Sequence, residues 1–282
     1  MIIKDQTALD KYAVAGNPIA HSKSPSIHRL FAEQTGQKLV YSAECFPLDA
    51  FASSVADFIR TSGLGMNVTV PFKLQAWQLS DQLSLAAELA GAVNTLSFKD
   101  GVIFGDNTDG IGLVNDLSKN LKFNLQGKKV LIVGAGGAVR GVLQPIIAQR
   151  PSSITIVNRT VSKAWQLAEI FKELFDIKVL SFEELDSAYD LVINGTSASL
   201  SNQLPPLPAC TIQPSTWLYD MMYGKGVTVF NQWGLENGAA QASDGLGMLV
   251  EQAAQSFKIW RGVSPNTKQV ISKLRCELLD II

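Results

Sequence analysis

Lys73 ends the run Asn67-Val68-Thr69-Val70-Pro71-Phe72-Lys73. An ammonium just past a strand end projects where clefts form, and it can donate a proton to an alkoxide. Asn67 and Thr69 alternate with Val68 and Val70. An amide and a hydroxyl therefore share one strand face, and the two valines anchor the other face in the core. Pro71 has no N–H for a ladder and ends the strand. A polar face closed by a lysine suits a small polyhydroxy or keto compound. Asp109, in Gly105-Asp106-Asn107-Thr108-Asp109-Gly110, can hold the lysine or bind a neighbouring hydroxyl. Asn94 adds a donor and an acceptor. Ser22 and Ser24 flank a helix start, where free N–H groups and the dipole favour a carboxylate. Singly, such residues also populate caps and turns.

A second constellation handles a different group. Gly134-Ala135-Gly136-Gly137-Ala138 directly follows the apolar run Val130-Leu131-Ile132-Val133 and opens a helix. Glycines there permit a tight turn and let backbone N–H groups approach a pyrophosphate. Val139 stands where the usual pattern has its third small residue. The next strand, Ile154–Val157, ends at Asn158-Arg159-Thr160, with Lys163 one helical turn on. NAD-specific sites carry an acid at this place for the ribose 2′-hydroxyl. Arg159 instead offers a fork for a 2′-phosphate, with Thr160 and Lys163 adding contacts, which favours NADP. Hydride transfer to a ketone leaves charge on oxygen, so a dinucleotide site needs a nearby proton donor such as Lys73.

The elements that position these groups follow an α/β rhythm. Tyr12–Gly16, Leu39–Phe46 and about 65–70 read as strands, with a helix from Pro25 to a stop at Gly36 and another from Leu48 to Ile59. Ser24 is placed to cap the first helix. A helical stretch runs from Lys73 to about residue 90. Lys99-Asp100-Gly101 marks a hairpin between Val93–Phe98 and Val102–Gly105. Beyond it, Val130–Val133, Ile154–Val157, Val179–Leu180, Leu191–Asn194 and Trp217–Met221 read as parallel strands. Pro145 lies inside the helix after Gly137, where it either kinks or shortens it. The four prolines within 200–214 make that stretch a loop. Met248–Trp260 and Thr267–Leu279 close the chain as helices. The fold class is α/β in two units, with the boundary near residues 105–125.

Composition agrees. The chain has 282 residues, 46% hydrophobic and 17% charged, enough for a substantial core. A net charge of −1 gives no general attraction to nucleic acid or an anionic membrane. No apolar run reaches the roughly 18–20 residues of a membrane span. The start, Met1-Ile2-Ile3-Lys4-Asp5-Gln6, has no signal core, so a cytoplasmic location is expected. Cys45, Cys210 and Cys276 are far apart, and the two histidines are His21 and His28, so no metal site is expected. No interface stripe diagnoses oligomeric state, and a homodimer stays open.

Taken together, the motifs resemble the shikimate dehydrogenase family over nearly the whole chain. The residues that carry the likeness are Gly16 through Pro25, Asn67 through Lys73, Gly91 through Thr95, Gly105 through Gly110, Gly134 through Ala138, Asn158-Arg159-Thr160, Tyr219 through Tyr223, and Asp244 through Leu249. The resemblance implies a substrate domain over 1–110, a Rossmann-like NADP domain over 111–244, and helices over 245–282 that return to the first domain, with the site in the cleft. By matching position, Ser22, Ser24 and Tyr223 would hold the shikimate carboxylate. Asn67, Thr69, Asn94, Asp109 and Gln252 would hold its hydroxyls. Lys73 and Asp109 would be the catalytic pair, with Met221 and Gly245 near the nicotinamide. Leu85 departs from the pattern, since many relatives have an acid there. The implied reaction is reversible NADPH-dependent reduction of 3-dehydroshikimate to shikimate, on the route to chorismate and the aromatic amino acids. A broader quinate/shikimate dehydrogenase and a non-catalytic NADP-binding sensor are the alternatives. Lys73 serves either as acid–base group or as a fixed charge that orients substrate.

Overall fold

The computed structural model describes residues 9–280, and it divides into two compact units. The stretch Met1–Gln6, read above for a signal core, lies outside the described residues. The first unit is Met1–Thr108 with Gln252–Val270; the second is Asp109–Glu251 with Ile271–Ile282. The expected tail of 245–282 is therefore shared. Only its middle, 252–270, groups with the first unit.

The first unit contains β1 (Asp10–Gly16), α1 (Ser24–Thr35), β2 (Leu39–Cys45), α2 (Phe51–Arg60), β3 (Gly63–Val68), α3 (Lys73–Leu79), β4 (Gln82–Leu83), α4 (Leu85–Ala90), β5 (Thr95–Lys99) and β6 (Val102–Asp106). Its sheet runs β2-β1-β3-β5-β6-β4. β1 pairs in parallel with β2 and β3, and β5 is antiparallel to β3 and β6. The β5–β6 turn is Asp100-Gly101, with φ of 52° and 78°. Positive φ at both central residues matches the right-handed twist of a hairpin. Phe51 stacks on Phe72 at 5.0 Å beneath the sheet, in a core with Phe46, Met66 and Leu96.

Two expectations fail here. The strand ends at Val68, not Val70. Val68 is buried as expected, but Val70 is 70% exposed, so it anchors nothing in the core. Past the last ladder bond the alternation of faces no longer holds, because the chain turns, with Phe72 N–H donating to Thr69 O at 2.9 Å; the Val70–Pro71 bond is cis. The helix expected from Lys73 to about residue 90 is broken into α3 and α4. Ser80 is extended, and Gln82–Leu83 pairs with β6.

The second unit contains α5 (Asp109–Asn115), a π-helical turn (Asp116–Asn120), β7 (Lys129–Val133), α6 (Gly137–Ala148), β8 (Ser153–Val157), α7 (Val161–Phe171), β9 (Ile177–Leu180), β10 (Leu191–Asn194), β11 (Trp217–Asp220), α8 (Val229–Glu236) and β12 (Gln241–Asp244). Two long helices follow, α9 (Leu246–Arg261) and α10 (Thr267–Leu278), and the division between the units falls inside both. The sheet runs β12-β11-β10-β7-β8-β9, and every pairing is parallel. Strand order reverses at β7, so a crevice opens at the carboxyl ends of β7 and β10, where dinucleotides bind in such sheets. Val130–Val133 is fully buried, as a strand covered on both faces must be.

Pro145 stays inside α6 without ending it. It removes the helical donor to the Gly141 carbonyl. That carbonyl lies against Gly110 of α5, where an added Cβ would sit 2.5 Å from it. A close α5–α6 contact therefore uses the gap that Pro145 leaves. β12 and α8 were not anticipated from sequence.

Candidate active site

The first unit gathers its polar residues at the carboxyl ends of β1 and β3. At Gly16 an added Cβ would lie 2.6 Å from the Thr69 methyl, so only glycine lets these strand ends approach. Thr69 N–H donates to Ala15 O (2.9 Å) and Asn17 N–H to Val70 O (3.1 Å). The loop carrying Ser22 and Ser24 thus leaves the sheet beside the turn carrying Thr69 and Lys73. Ser24 N–H donates to Ser22 Oγ at 3.3 Å. Ser24 is the first residue of α1 rather than its cap. Lys23 holds the cap position and no side chain caps the helix. The Ser24 hydroxyl instead stands by the Tyr41 phenol, whose pKa burial pushes well above its ordinary value.

Lys73 is the first residue of α3. Phe72 before it is fully buried and fixes the turn, and Val93 N–H donates to Lys73 O at 2.9 Å. That bond ties the lysine backbone to the segment carrying Asn94. Asn94 is buried. Its Nδ2 donates to Thr108 Oγ1 (3.0 Å) and Gln252 Oε1 (3.4 Å), and its Oδ1 accepts from Thr108 N–H (2.9 Å) and Thr95 Oγ1 (2.8 Å). Asn67 is 6% exposed and engaged within the protein. Its Nδ2 faces Ser256 Oγ (2.9 Å), Asn94 O (3.1 Å) and Thr95 Oγ1 (3.2 Å), and its Oδ1 accepts from the Tyr41 hydroxyl (2.7 Å).

The result is a hydroxyl-rich ledge with Asn67, Asn94 and Gln252 at its centre. Amides and hydroxyls that both donate and accept suit a polyol. Sequence reasoning did not single out Thr108, Thr95, Tyr41 and Ser256. Thr95 and Thr108 adjoin named residues, Asn94 and Asp109, and that adjacency was their signal. Tyr41 and Ser256 reach the ledge from distant segments and carried none. Beneath it His28 stacks on Tyr41 at 4.1 Å, fully buried, and burial lowers its pKa to about 3.

Asp109 and Tyr223 belong to the second unit. Asp109 opens α5 and is half-buried. Tyr223 follows β11, and burial, then the Asp244 carboxylate, raises its phenol pKa.

The cofactor residues share one end of the second sheet. Gly134 has φ +111°, which a side chain rarely adopts, and its N–H donates to Val157 O (2.8 Å) at the end of β8. Gly136 and Gly137 begin α6, and a Cβ on either would meet nothing within 4 Å. Open space over a helix N-terminus fits the pyrophosphate of a dinucleotide. Ala135 and Ala138 complete the loop. Val139 is fully buried, and its methyl occupies the place of a side chain on Gly195, where a Cβ would sit 2.3 Å away. The missing small residue in the helix is thus supplied by Gly195, just past the end of β10.

Asn158 Nδ2 donates to Thr160 O at 2.8 Å, shaping the turn after β8. Arg159, Thr160 and Lys163 are exposed beside the glycine loop, and Thr160 stands at the cap of α7 without bonding it. Met221 and Gly245 meet at the ends of β11 and β12. A Cβ on Gly245 would lie 2.2 Å from Met221 O. α9 starts there under tight control. Asp116 accepts from Tyr219 Oη (2.7 Å) and Asn120 Nδ2 (2.9 Å), and Asn120 Nδ2 also reaches Glu251 (2.9 Å). Burial raises the Asp116 pKa against both of those bonds. Asn194, Gly195 and Thr196, at the switch point, were not assigned from sequence. Asn194 Nδ2 donates to buried Asp220 (3.1 Å) and its Oδ1 accepts from Thr196 (2.7 Å).

Three family models match in succession. They are the shikimate dehydrogenase substrate binding domain over 14–96, shikimate / quinate 5-dehydrogenase over 116–202, and the shikimate 5′-dehydrogenase C-terminal domain over 245–275. The shikimate dehydrogenase (NADP(+)) of Vibrio cholerae is 54% identical over 96% of this chain and 97% of its own length.

The chain belongs to the shikimate dehydrogenase family.

Solved structures agree. An Ael1 enzyme from Pseudomonas putida superposes with a TM-score of 0.90, at 47% identity, over 94% of this chain and 98% of its own. Shikimate 5-dehydrogenase from Thermus thermophilus, in complex with NADP(H) and shikimate, gives a TM-score of 0.85 at 30% identity, over 95% and 99%. As in other shikimate dehydrogenases, the substrate domain comes first in the chain and the Rossmann-like domain second.

Proposed function

We propose that this chain catalyses the reversible, NADPH-dependent reduction of 3-dehydroshikimate to shikimate. The observation that carries the reading is 54% identity, across 96% of the chain, to a shikimate dehydrogenase (NADP(+)). NADPH, when held by these residues, would supply the hydride for the ring ketone carbon. Lys73, as ammonium, gives a proton to the carbonyl oxygen, so that C=O becomes CH–OH; in reverse its amine takes that proton back. Asp109 is its partner in catalysis and accepts a hydrogen bond from a ring hydroxyl. Ser22, Ser24 and Tyr223 bind the carboxylate. Thr69, Asn94 and Gln252 bind hydroxyls, with Asn67 shaping the ledge they stand on. Gly134 to Ala138 cradle the pyrophosphate, and Asn158, Arg159, Thr160 and Lys163 bind the adenosine ribose phosphate. Met221 and Gly245 border the nicotinamide. The test is absorbance at 340 nm with shikimate and NADP. NADPH formation supports the enzyme, and binding without turnover would leave a sensor.

The match of residues 116–202 to the shikimate / quinate 5-dehydrogenase family supports a broader dehydrogenase as the second reading. Arg159 beside the glycine loop favours NADP, and a ratio of kcat/KM near one for quinate against shikimate would favour the broader enzyme. Three free cysteines, two of them exposed, support a reducing, cytoplasmic location. The net charge of −1 supports small-molecule partners without nucleic acid.

A further inference from the structure

Asp220 is a fully buried carboxylate that the proposed chemistry does not use. It ends β11, directly across from Asn194, which ends β10 and is also fully buried. Three neutral donors satisfy it. Oδ1 accepts from Asn194 Nδ2 (3.1 Å) and from Met222 N–H (3.0 Å), and Oδ2 accepts from Ser199 Oγ (2.6 Å). Burying a charge is costly unless hydrogen bonds compensate it. An ionised carboxylate also accepts on both oxygens and donates on neither. Every group that faces Asp220 must therefore turn a donor inward.

That requirement propagates along two segments. Asn194 gives its N–H₂ to Asp220, so its Oδ1 points the other way. There it accepts from Thr196 N–H (3.1 Å) and Thr196 Oγ1 (2.7 Å). Thr196 is thereby held with its methyl against the glycine loop, 3.0 Å from where a Cβ on Gly134 would lie. Ser199, three residues on, is held by Asp220 directly. On the β11 side, Met222 N–H is drawn back to Asp220, while Met221 N–H donates to Asn194 O (2.9 Å). Met221 Sδ then comes to 3.3 Å from where a Cβ on Gly195 would lie. One carboxylate thus ties the loop after β10 to the turn after β11, beside the crevice of the parallel sheet.

We infer that Asp220 is a positioning residue for hydride transfer, fixing the 194–199 loop and Met221 where the nicotinamide ring must lie. This rests on the proposed NADP-dependent reaction and on the place given there to Met221. An amide at 220 has nearly the same shape but carries one donor. Turned toward Asn194 and Met222, its N–H₂ faces two donors. Turned toward Ser199, it asks that hydroxyl to accept and releases its proton. A second arrangement of the loop becomes available in either case. Small misplacements of a reacting group lower the rate of the chemical step steeply.

The experiment compares the parent, Asp220→Asn and Ser199→Ala in steady-state shikimate oxidation with NADP. Calorimetry with adenosine 2′,5′-bisphosphate, which lacks the nicotinamide half, is run on the same samples. For Asp220→Asn a fall in kcat of about 10- to 100-fold is expected, with the affinity for the bisphosphate unchanged. Ser199→Ala removes one of the three donors and is expected to show a smaller loss of kcat, again at unchanged affinity. If Asp220→Asn does not fold, Ser199→Ala decides. Unchanged kcat in Ser199→Ala, or in a folded Asp220→Asn, overturns the inference. Parallel loss of kcat and bisphosphate affinity also overturns it, because Asp220 would then only hold the unit together. A parent that forms no NADPH from shikimate overturns the proposed reaction itself, and the inference with it.

Discussion

The Tyr41 hydroxyl donates a 2.7 Å hydrogen bond to Asn67 Oδ1, joining strand β2 to the floor of the polar ledge. Asn67 uses its amide nitrogen on Asn94, Thr95 and Ser256, so Tyr41 fixes which way the amide points. Tyr41→Phe keeps the ring and leaves a buried carbonyl oxygen without its donor. A loss of about 1–3 kcal/mol is expected, read from urea midpoints at constant slope. KM for shikimate should rise more than kcat falls, because the ledge loosens while Lys73 stays. Unchanged stability and KM would show that the bond holds nothing in place.

His28 gives the pH dependence. It is buried and neutral, with its pKa lowered to about 3 by desolvation, against the opposing effect of nearby Asn67. Neither ring nitrogen has a hydrogen-bond partner among the described residues. The unfolded chain takes up the proton near pH 6.5, the native state only near pH 3, so between those values the unfolded state binds more protons. Stability from this site is fully present above pH 6.5 and falls with acidification, by about 1.4 kcal/mol per pH unit at the steepest. His28→Phe keeps an aromatic ring on Tyr41 and removes the titration. Urea unfolding at pH 7 and pH 5 should show a smaller difference for the variant than for the parent. Equal differences would mean that His28 does not titrate as stated.

Arg159 should decide between cofactors. Arg159→Ala is expected to lower kcat/KM for NADP by about 10- to 100-fold, the worth of a charge-assisted pair, and for NAD by much less. Steady-state rates with each cofactor test this. Equal losses would move recognition of the 2′-phosphate to another residue.

Val139 and Gly195 should behave as one unit. Gly195→Ala places a methyl against the Val139 side chain and is expected to cost about 1–3 kcal/mol by overpacking. In a Val139→Ala background most of that cost should vanish, and a double-mutant cycle measures the coupling. Additive effects would show that the two residues do not share this space.

Local chemistry was legible in the sequence where a short segment settles its own conformation. The buried run Val130–Val133, the glycine loop and the Asp100-Gly101 hairpin needed no distant partner. Val70 misled because alternation predicts faces only while the ladder lasts, and the chain turns after Val68. Lys73 to residue 90 reads as one helix until β6 captures Gln82–Leu83. β12 is polar and half-buried, so neither an apolar run nor clean alternation marks it. Tyr41 and Ser256 join the ledge only through tertiary contacts, and Ser256 lies 189 residues from Asn67. Val139 looked like a flaw in the cofactor motif until Gly195 was seen to make room for it.

In the proposed mechanism Lys73 acts in the transition state of a shikimate–NADP hydride transfer. Steady-state kinetics of Lys73→Met with both substrates varied test it most directly. A fall in kcat of roughly 10²- to 10⁴-fold is expected, the usual range for a positioned proton-transfer group, with KM for shikimate within a few-fold of the parent. A kcat close to that of the parent would contradict it and remove Lys73 from the mechanism.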